Sequence, residues 1–149
     1  MTRNKGSKMQ VISATTPGRL ESLVEEFAKR FPHLKKPDIA IGRCKFYSME
    51  LAMFLRARGI KAQLYHVQEI KNRKLWPRAH PEWLGTRSKE WTHYVVRVGG
   101  LVIDLTSKQL DSQHPYPHIY PYRELLDTWN VVERDAFINR VATELLEQR

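Results

Sequence analysis

Three residues, Cys44, His93 and Asp104, have side chains of the types that a cysteine nucleophile requires. The thiolate is the reactive form of cysteine, and a helix N-terminus or cationic neighbours lower the pKa of the thiol. An imidazole can accept the thiol proton, and a carboxylate can hold that imidazole in the required tautomer. Because Arg43 and Lys45 flank Cys44, the sequence predicts a thiol that ionises easily.

The segment that carries the cysteine is predicted to be a helix. Residues 43–58 contain neither proline nor glycine, and Cys44, Ser48 and Leu51 recur at a spacing that puts them on one helical face. Gly59 is a favourable residue for ending the helix. This pattern places the thiol in the first turn, on the side that packs inward.

The histidine and the aspartate are predicted to lie on a β-hairpin. Two apolar runs, 92–98 and 101–105, are separated by Gly99-Gly100, which favours a tight two-residue turn. A register in which paired residue numbers sum to 199 puts His93 opposite Thr106, with Asp104 as a diagonal neighbour on the same face. We expect the cysteine helix to pack on that face of the sheet.

The remaining patterns predict one α+β domain over residues 15–149, preceded by a basic flexible arm at 1–14. An N-terminal amphipathic helix begins at Pro17, residues 60–70 alternate as a strand does, and a C-terminal amphipathic helix runs from about 133 to 146. A proline-containing loop and a short helix near 122–129 precede that last helix. The expected architecture is the cysteine helix on a small antiparallel sheet, flanked by the two terminal helices.

These motifs resemble the papain-like and transglutaminase-like cysteine fold, and in particular small bacterial or phage members similar to papain-fold toxin domains that deamidate protein glutamines. The resemblance covers roughly residues 38 to 110 and includes an Asp-x-Thr-x-x-Gln run formed by Asp104, Thr106 and Gln109. It implies that Cys44 is the nucleophile, that His93 is the general base and acid, and that Asp104 orients the histidine.

One departure from that family concerns the oxyanion. Papain-like enzymes often have a glutamine a few residues before the cysteine, whereas residues 37–42 here contain neither glutamine nor asparagine. The Cys44 backbone N–H and another amide could still supply the preorganised donors that an oxyanion requires. The departure leaves that second donor unassigned, and it admits a catalytically inactive version of the fold.

The segment between the predicted strands is rich in tryptophans and cations. We interpret Trp76, Trp83 and Trp91 as substrate-binding residues of a lid, together with Gln109. Aromatic rings and cations could instead bind single-stranded nucleic acid, which is the less favoured alternative, or the tryptophans could simply pack on the core. The six cations of this segment are Lys71, Arg73, Lys74, Arg78, Arg87 and Lys89.

Composition limits the cellular compartment and the kinds of partner that we expect for this chain. The chain has 149 residues, a net charge of +9 and a single cysteine, so it cannot form an internal disulfide. No apolar run could span a membrane and no secretory signal is seen at the N-terminus, which predicts a cytoplasmic protein, or one delivered from one cytoplasm to another. We expect no membrane partner and no metal or cofactor, because only His114 and His118 are spaced like a ligand pair, and they lie in a proline-rich loop.

The predicted function is therefore acyl transfer by a cysteine nucleophile at a protein amide. The reaction could be glutamine deamidation, peptide hydrolysis or a transglutaminase-type transfer, and the substrate a protein or peptide with acidic character. The alternative is a non-catalytic binding or inhibitor module on the same fold, which uses the basic, tryptophan-rich segment 71–91 to bind nucleic acid or an acidic protein.

Overall fold

The computed structural model of the protein describes residues 17–36, 43–71 and 92–149. Within these ranges the chain forms four α-helices, five strands and two short 3-10 helices, which confirms the predicted α+β class. The helices are α1 (Pro17–Ala28), α2 (Cys44–Arg56), α3 (Tyr122–Thr128) and α4 (Ala136–Glu147), and the 3-10 helices are Pro32–Lys35 and Ser107–Gln109. The strands are β1 (Gln63–Ile70), β2 (Thr92–Val98), β3 (Leu101–Asp104), β4 (His118–Pro121) and β5 (Trp129–Arg134).

The five strands form one antiparallel sheet in the order β4-β3-β2-β1-β5. Strand β2, which carries the histidine, is central, with β1 on one side and β3 on the other. His93 pairs with Val67 of β1, whereas the ladder between β2 and β3 includes no partner for it.

One face of the sheet packs against helix α2. Leu51 and Leu55 of the helix are fully buried and belong to the same hydrophobic cluster as Leu64, Val96 and Ile103 of the sheet. The predicted inward face of the cysteine helix is thus confirmed. Truncating either leucine to alanine would cost about 2–5 kcal/mol of stability, as is usual for such core substitutions.

The opposite face of the sheet has its own smaller core. Val67, Val95 and Val102 of the sheet pack there with Leu125 of α3 and with Trp129 at the start of β5. No residue of α2 belongs to this second cluster. The alternation of side chains along a strand divides the two cores, since successive residues point to opposite faces.

The hairpin between β2 and β3 has the predicted turn and register. Gly99 has a φ of +58°, a conformation that glycine adopts at little cost. Val98 pairs with Leu101, which gives the expected sum of 199. The expected pairing of His93 with Thr106 is wrong, however, because the ladder ends at the pair Val96–Ile103.

Two strands lie in segments that the sequence did not predict as strands. Strand β4 follows the proline-rich loop, and β5 occupies the end of the expected short helix and the start of the expected last helix. Strand β5 pairs with the otherwise open edge of β1, for example Val132 with Val67. Asp135 then caps α4 by accepting a hydrogen bond from the Ile138 N–H at 2.9 Å, so the last helix begins after the strand.

Several predicted features lie outside the described residues. These are the basic arm at 1–14, the segment 37–42 before the cysteine, and most of the cationic segment with its three tryptophans. Among the helices of the described ranges, none is long and apolar enough to cross a bilayer.

Candidate active site

The nucleophile candidate lies at the first residue of α2. The helix is 13 residues long, and Arg43 at its N-cap makes no side-chain capping hydrogen bond. The first backbone N–H groups of a helix have no acceptor within the helix, and the helix dipole gives this end a partial positive charge. Cys44 is a free cysteine with a partly exposed side chain. Its position therefore favours the thiolate.

The first turn of α2 hydrogen-bonds to the backbone carbonyl and N–H of one β2 residue, Tyr94. Beyond the last β2–β3 pair, Val96–Ile103, no β3 residue pairs with β2. Ser48 donates its hydroxyl to the Tyr94 carbonyl at 3.1 Å, and the Tyr94 N–H hydrogen-bonds to Cys44. Cys44 and Ser48 are one helical turn apart, so this first turn fills the place that β3 leaves open.

The helix does not pack on the face that the sequence predicted. His93 and Asp104 are on the face of the second core with Val95 and Val102, whereas α2 packs on the opposite face, with Val96. The expectation that α2 covers the His93–Asp104 face is therefore wrong. The thiol reaches the histidine because it lies at the end of the helix, where β2 and β3 separate.

The histidine and the aspartate form a buried pair. His93 Nε2 lies 2.6 Å from Asp104 Oδ2, and the two side chains are 0% and 1% exposed. The other carboxylate oxygen, Oδ1, accepts the Thr106 backbone N–H at 3.0 Å. The diagonal contact expected from the hairpin register thus forms, and Thr106 turns back to hold the carboxylate.

The contact with Asp104 decides which nitrogen of the neutral imidazole carries the hydrogen. A carboxylate accepts a hydrogen bond, so Nε2 donates its hydrogen to Asp104 and Nδ1 of the neutral ring is an acceptor. Gln109 Nε2 lies 3.1 Å from Nδ1 of His93 and 2.9 Å from Thr106 Oγ1. His93 also hydrogen-bonds to the Cys44 side chain, so Nδ1 is the nitrogen available to the thiol.

The pKa of Cys44 is lowered and the pKa of His93 is raised, as expected when the two form an ion pair. Burial opposes ionisation of Cys44, but the hydrogen bond and charge of His93, with the Tyr94 backbone hydrogen bond, outweigh it and lower the pKa of the thiol. Burial likewise opposes protonation of His93, but the charge and hydrogen bond of Asp104, followed by those of Cys44, raise the pKa of His93 to about 10. Both shifts therefore favour the thiolate–imidazolium pair over the neutral thiol and imidazole.

Trp129 is a site residue that the sequence analysis did not select. Its ring lies parallel to that of His93, with centroids 6.1 Å apart and an angle of 9° between the planes, and the residue is 2% exposed. It shields the His93–Asp104 pair from solvent on the face of the second core. Val131 and Val132 follow it after one asparagine, and this β-branched pair was the available sign of a strand rather than a helix.

A second polar group lies beside the aspartate. The Ser107 hydroxyl is within hydrogen-bonding distance of Nδ1 of both His114 and His118, at 2.5 and 2.8 Å. These side chains and Asp104 line a cavity of about 180 Å³ that Trp129 also borders. Within the described ranges, no three histidine, cysteine or acidic residues are arranged to hold a metal ion.

The structure brings together four of the predicted site residues: Cys44, His93, Asp104 and Gln109. Gln109 is 3% exposed, and its amide is engaged with His93 and Thr106. It therefore belongs to the buried cluster around the histidine and does not extend into an open cleft. The other three predicted substrate-binding residues, Trp76, Trp83 and Trp91, lie outside the described residues.

Comparison with known proteins adds no family to this geometry: no family model matches the chain, and no similar curated protein or solved structure was found. The resemblance to papain-like and transglutaminase-like enzymes therefore stays a prediction, and the case for a function depends on the geometry of Cys44, His93 and Asp104.

Proposed function

We propose that this protein is an acyl-transfer enzyme that uses Cys44 as its nucleophile, on a fold related to the papain-like and transglutaminase-like cysteine enzymes. The observation that carries the proposal is the fully buried imidazole of His93. It has a carboxylate 2.6 Å from Nε2 and a hydrogen bond to the only cysteine of the chain. Any buried histidine needs hydrogen-bond partners, but the two partners here, a carboxylate and a thiol, are the two that an activated cysteine requires.

The first half-reaction forms a thioester. The Cys44 thiolate attacks the carbonyl carbon of an amide, and the electron pair of the carbonyl moves to oxygen. When the tetrahedral intermediate collapses, the C–N bond breaks and the His93 imidazolium gives its Nδ1 proton to the leaving nitrogen. The products are ammonia or an amine, a thioester on Cys44 and a neutral imidazole that Asp104 holds in place.

We assign one oxyanion donor from the chain itself. The Cys44 backbone N–H is in the first turn of α2, where helix N–H groups have no acceptor within the helix. Gln109 is buried and bonded to Thr106, so it supports the histidine cluster and is not assigned as the second donor.

The second half-reaction regenerates the thiol. Neutral His93 takes a proton from water, the hydroxide oxygen bonds to the thioester carbon, and the C–S bond breaks to release a carboxylic acid. For a glutamine side chain the net change is deamidation to glutamate with loss of ammonia. For a peptide bond the same steps give proteolysis, and an amine in place of water gives a transferred amide. We favour a protein amide as the substrate because the nucleophile is partly exposed.

The pH dependence of alkylation tests the proposal. Cys44 is the only cysteine, so the mass added by iodoacetamide reports this thiol alone. Because the pKa of Cys44 is lowered, the midpoint of the rate should lie below the value of about 8.5 for a free cysteine. His93→Gln should raise the midpoint to at least that value, whereas His66→Gln, a histidine that bonds to Thr92, should leave it low.

The opposite result contradicts the proposal. A midpoint near that of free cysteine, unchanged by His93→Gln, would show that the histidine does not activate the thiol. The chain would then be a non-catalytic module on this fold. Circular dichroism of each variant ensures that a changed midpoint is not read from an unfolded protein.

A further inference from the structure

A second surface feature lies at the far end of helix α2. There the last turn of α2, the start of β1 and the first turns of α4 enclose an open groove of about 600 Å³. Four of its lining residues are charged, and all four are cations: Arg56, Lys61, Arg134 and Arg140. In the ranges that the structure describes, none of them has an ion pair with a carboxylate.

The guanidinium of Arg56 is fixed in this groove by neutral acceptors. Its Nε donates to the Ala62 carbonyl at 2.9 Å, and its Nη2 donates to Asn139 Oδ1 at 2.6 Å. Its Nη1 donates to the Asn139 carbonyl and to the Thr143 hydroxyl, at 3.2 and 3.0 Å. These bonds orient the group and leave its full positive charge without a counter-ion among them.

The scaffold that holds Arg56 is itself rigid. Asn139 is 2% exposed, and its amide both donates to the Leu64 carbonyl at 2.9 Å and accepts the Leu64 N–H at 2.8 Å. Burial, followed by the nearby charge of Arg134, lowers the pKa of Arg56. Like charges held together repel each other, so the arrangement has an energetic cost that an anion would relieve.

We infer that this cationic groove binds an acidic segment of a partner protein. Four of the five N–H groups of Arg56 are already bonded, so Arg56 contributes its charge to the groove rather than a two-bond pair. The guanidinium groups of Arg134 and Arg140 would pair with carboxylates through two parallel hydrogen bonds. The groove lies about 18 Å along α2 from Cys44, at 1.5 Å per residue, so it is a docking site separate from the candidate nucleophile. The inference does not depend on the proposed catalysis.

The lining favours a peptide over single-stranded nucleic acid. Proteins that bind single strands combine cations with aromatic rings on which bases stack. No lining residue of this groove is aromatic; its uncharged members are glycine, alanine, isoleucine, glutamine, asparagine and threonine. These residues can pack against a peptide or hydrogen-bond to it, but they offer no ring on which a base could stack.

Fluorescence anisotropy with labelled probes tests the inference on the full chain. The acidic probe is a peptide of glutamate and glycine, and its neutral control replaces glutamate with glutamine. The test variant is Lys61→Glu with Arg140→Glu, since both side chains are exposed. The control variant, Arg19→Glu with Arg123→Glu, makes the same change in net charge at exposed positions outside the groove.

We expect the wild type to bind the acidic peptide, to ignore the neutral one and to lose affinity as salt rises. The test variant should bind about a hundredfold more weakly, or about tenfold for each reversed charge, while the control variant keeps most of the affinity. Equal losses in the two variants would overturn the inference, because net charge alone would explain the binding. It would also be overturned if the wild type did not bind the peptide, or if oligothymidylate bound more tightly than the peptide.

Discussion

Asp104 lies between two histidines, and these two differ in their hydrogen-bond partners and in the direction of their pKa shifts. His93 on β2 contacts the carboxylate directly, at 2.6 Å, and also hydrogen-bonds to Cys44. His118 on β4 is the cross-strand partner of Asp104, but its Nδ1 bonds to the Ser107 hydroxyl instead. One histidine has two groups that an acid–base catalyst needs, and the other has a neutral hydroxyl.

The difference between the two pKa values follows from these contacts. Burial disfavours the protonated form of both histidines. For His93 the direct bonds to Asp104 and Cys44 outweigh burial and raise the pKa to about 10. For His118 burial and the nearby His114 outweigh the more distant charge of Asp104, and the pKa is lowered. The same carboxylate thus raises the pKa of the histidine that it hydrogen-bonds, but at His118 its charge does not offset burial and His114.

The largest expected effect separates the two histidines by function. His93→Gln should reduce turnover of an amide substrate by about 10⁴-fold, the upper range for loss of a general acid and base. His118→Gln, the matched control, should change turnover by no more than a few fold, because this residue does not contact the thiol. Ammonia release from a glutamine-containing protein measures both. Equal losses in the two variants would mean that the cluster acts as one structural unit and that His93 has no special role.

A smaller loss of turnover is expected when the carboxylate of Asp104, which lies between the two histidines, is replaced by an uncharged amide. Asp104→Asn should reduce turnover by about 10²-fold, since removal of the carboxylate charge lowers the pKa of His93. In the wild type the imidazolium is lost as pH rises through about 10, so the alkaline limb of the activity profile should lie there. In the variant that limb should move to lower pH. An alkaline limb that stays in place would show that Asp104 does not set the basicity of His93.

The parts of this site that depend on residues close in sequence could be predicted, and those that depend on distant residues could not. The turn at Gly99-Gly100 and the register beyond it are local, so the sequence sufficed to predict the contact between His93 and Asp104. The sequence did not show where β3 leaves β2. That separation decides that α2 packs on the other face and meets the histidine through the peptide groups of Tyr94.

Strands β4 and β5 were missed for a related reason. Each is stabilised by pairing with a strand that is distant in sequence, β5 with β1 and β4 with β3. Helical periodicity in neighbouring residues concealed the short β5, so Trp129 was assigned to a helix end rather than to the face of His93. Such pairings join segments that are distant in sequence, so the local periodicity of the neighbouring helices does not reveal them.

The smallest expected effect concerns Trp129, which borders both histidines: it stacks on His93 and lines the cavity that contains His118. Trp129→Phe should cost about 1–2 kcal/mol of stability because it leaves part of a buried volume unfilled. Water that enters the enlarged cavity should weaken the effect of burial on His118, so its lowered pKa should move up toward the ordinary value. Histidine Cε1–H chemical shifts, followed through a pH titration, measure this change.

Phe137→Leu serves as the control, because Phe137 is 61% exposed and its truncation should leave both stability and the titration of His118 unchanged. If the pKa of His118 in Trp129→Phe does not move, burial by the tryptophan is not what lowers it.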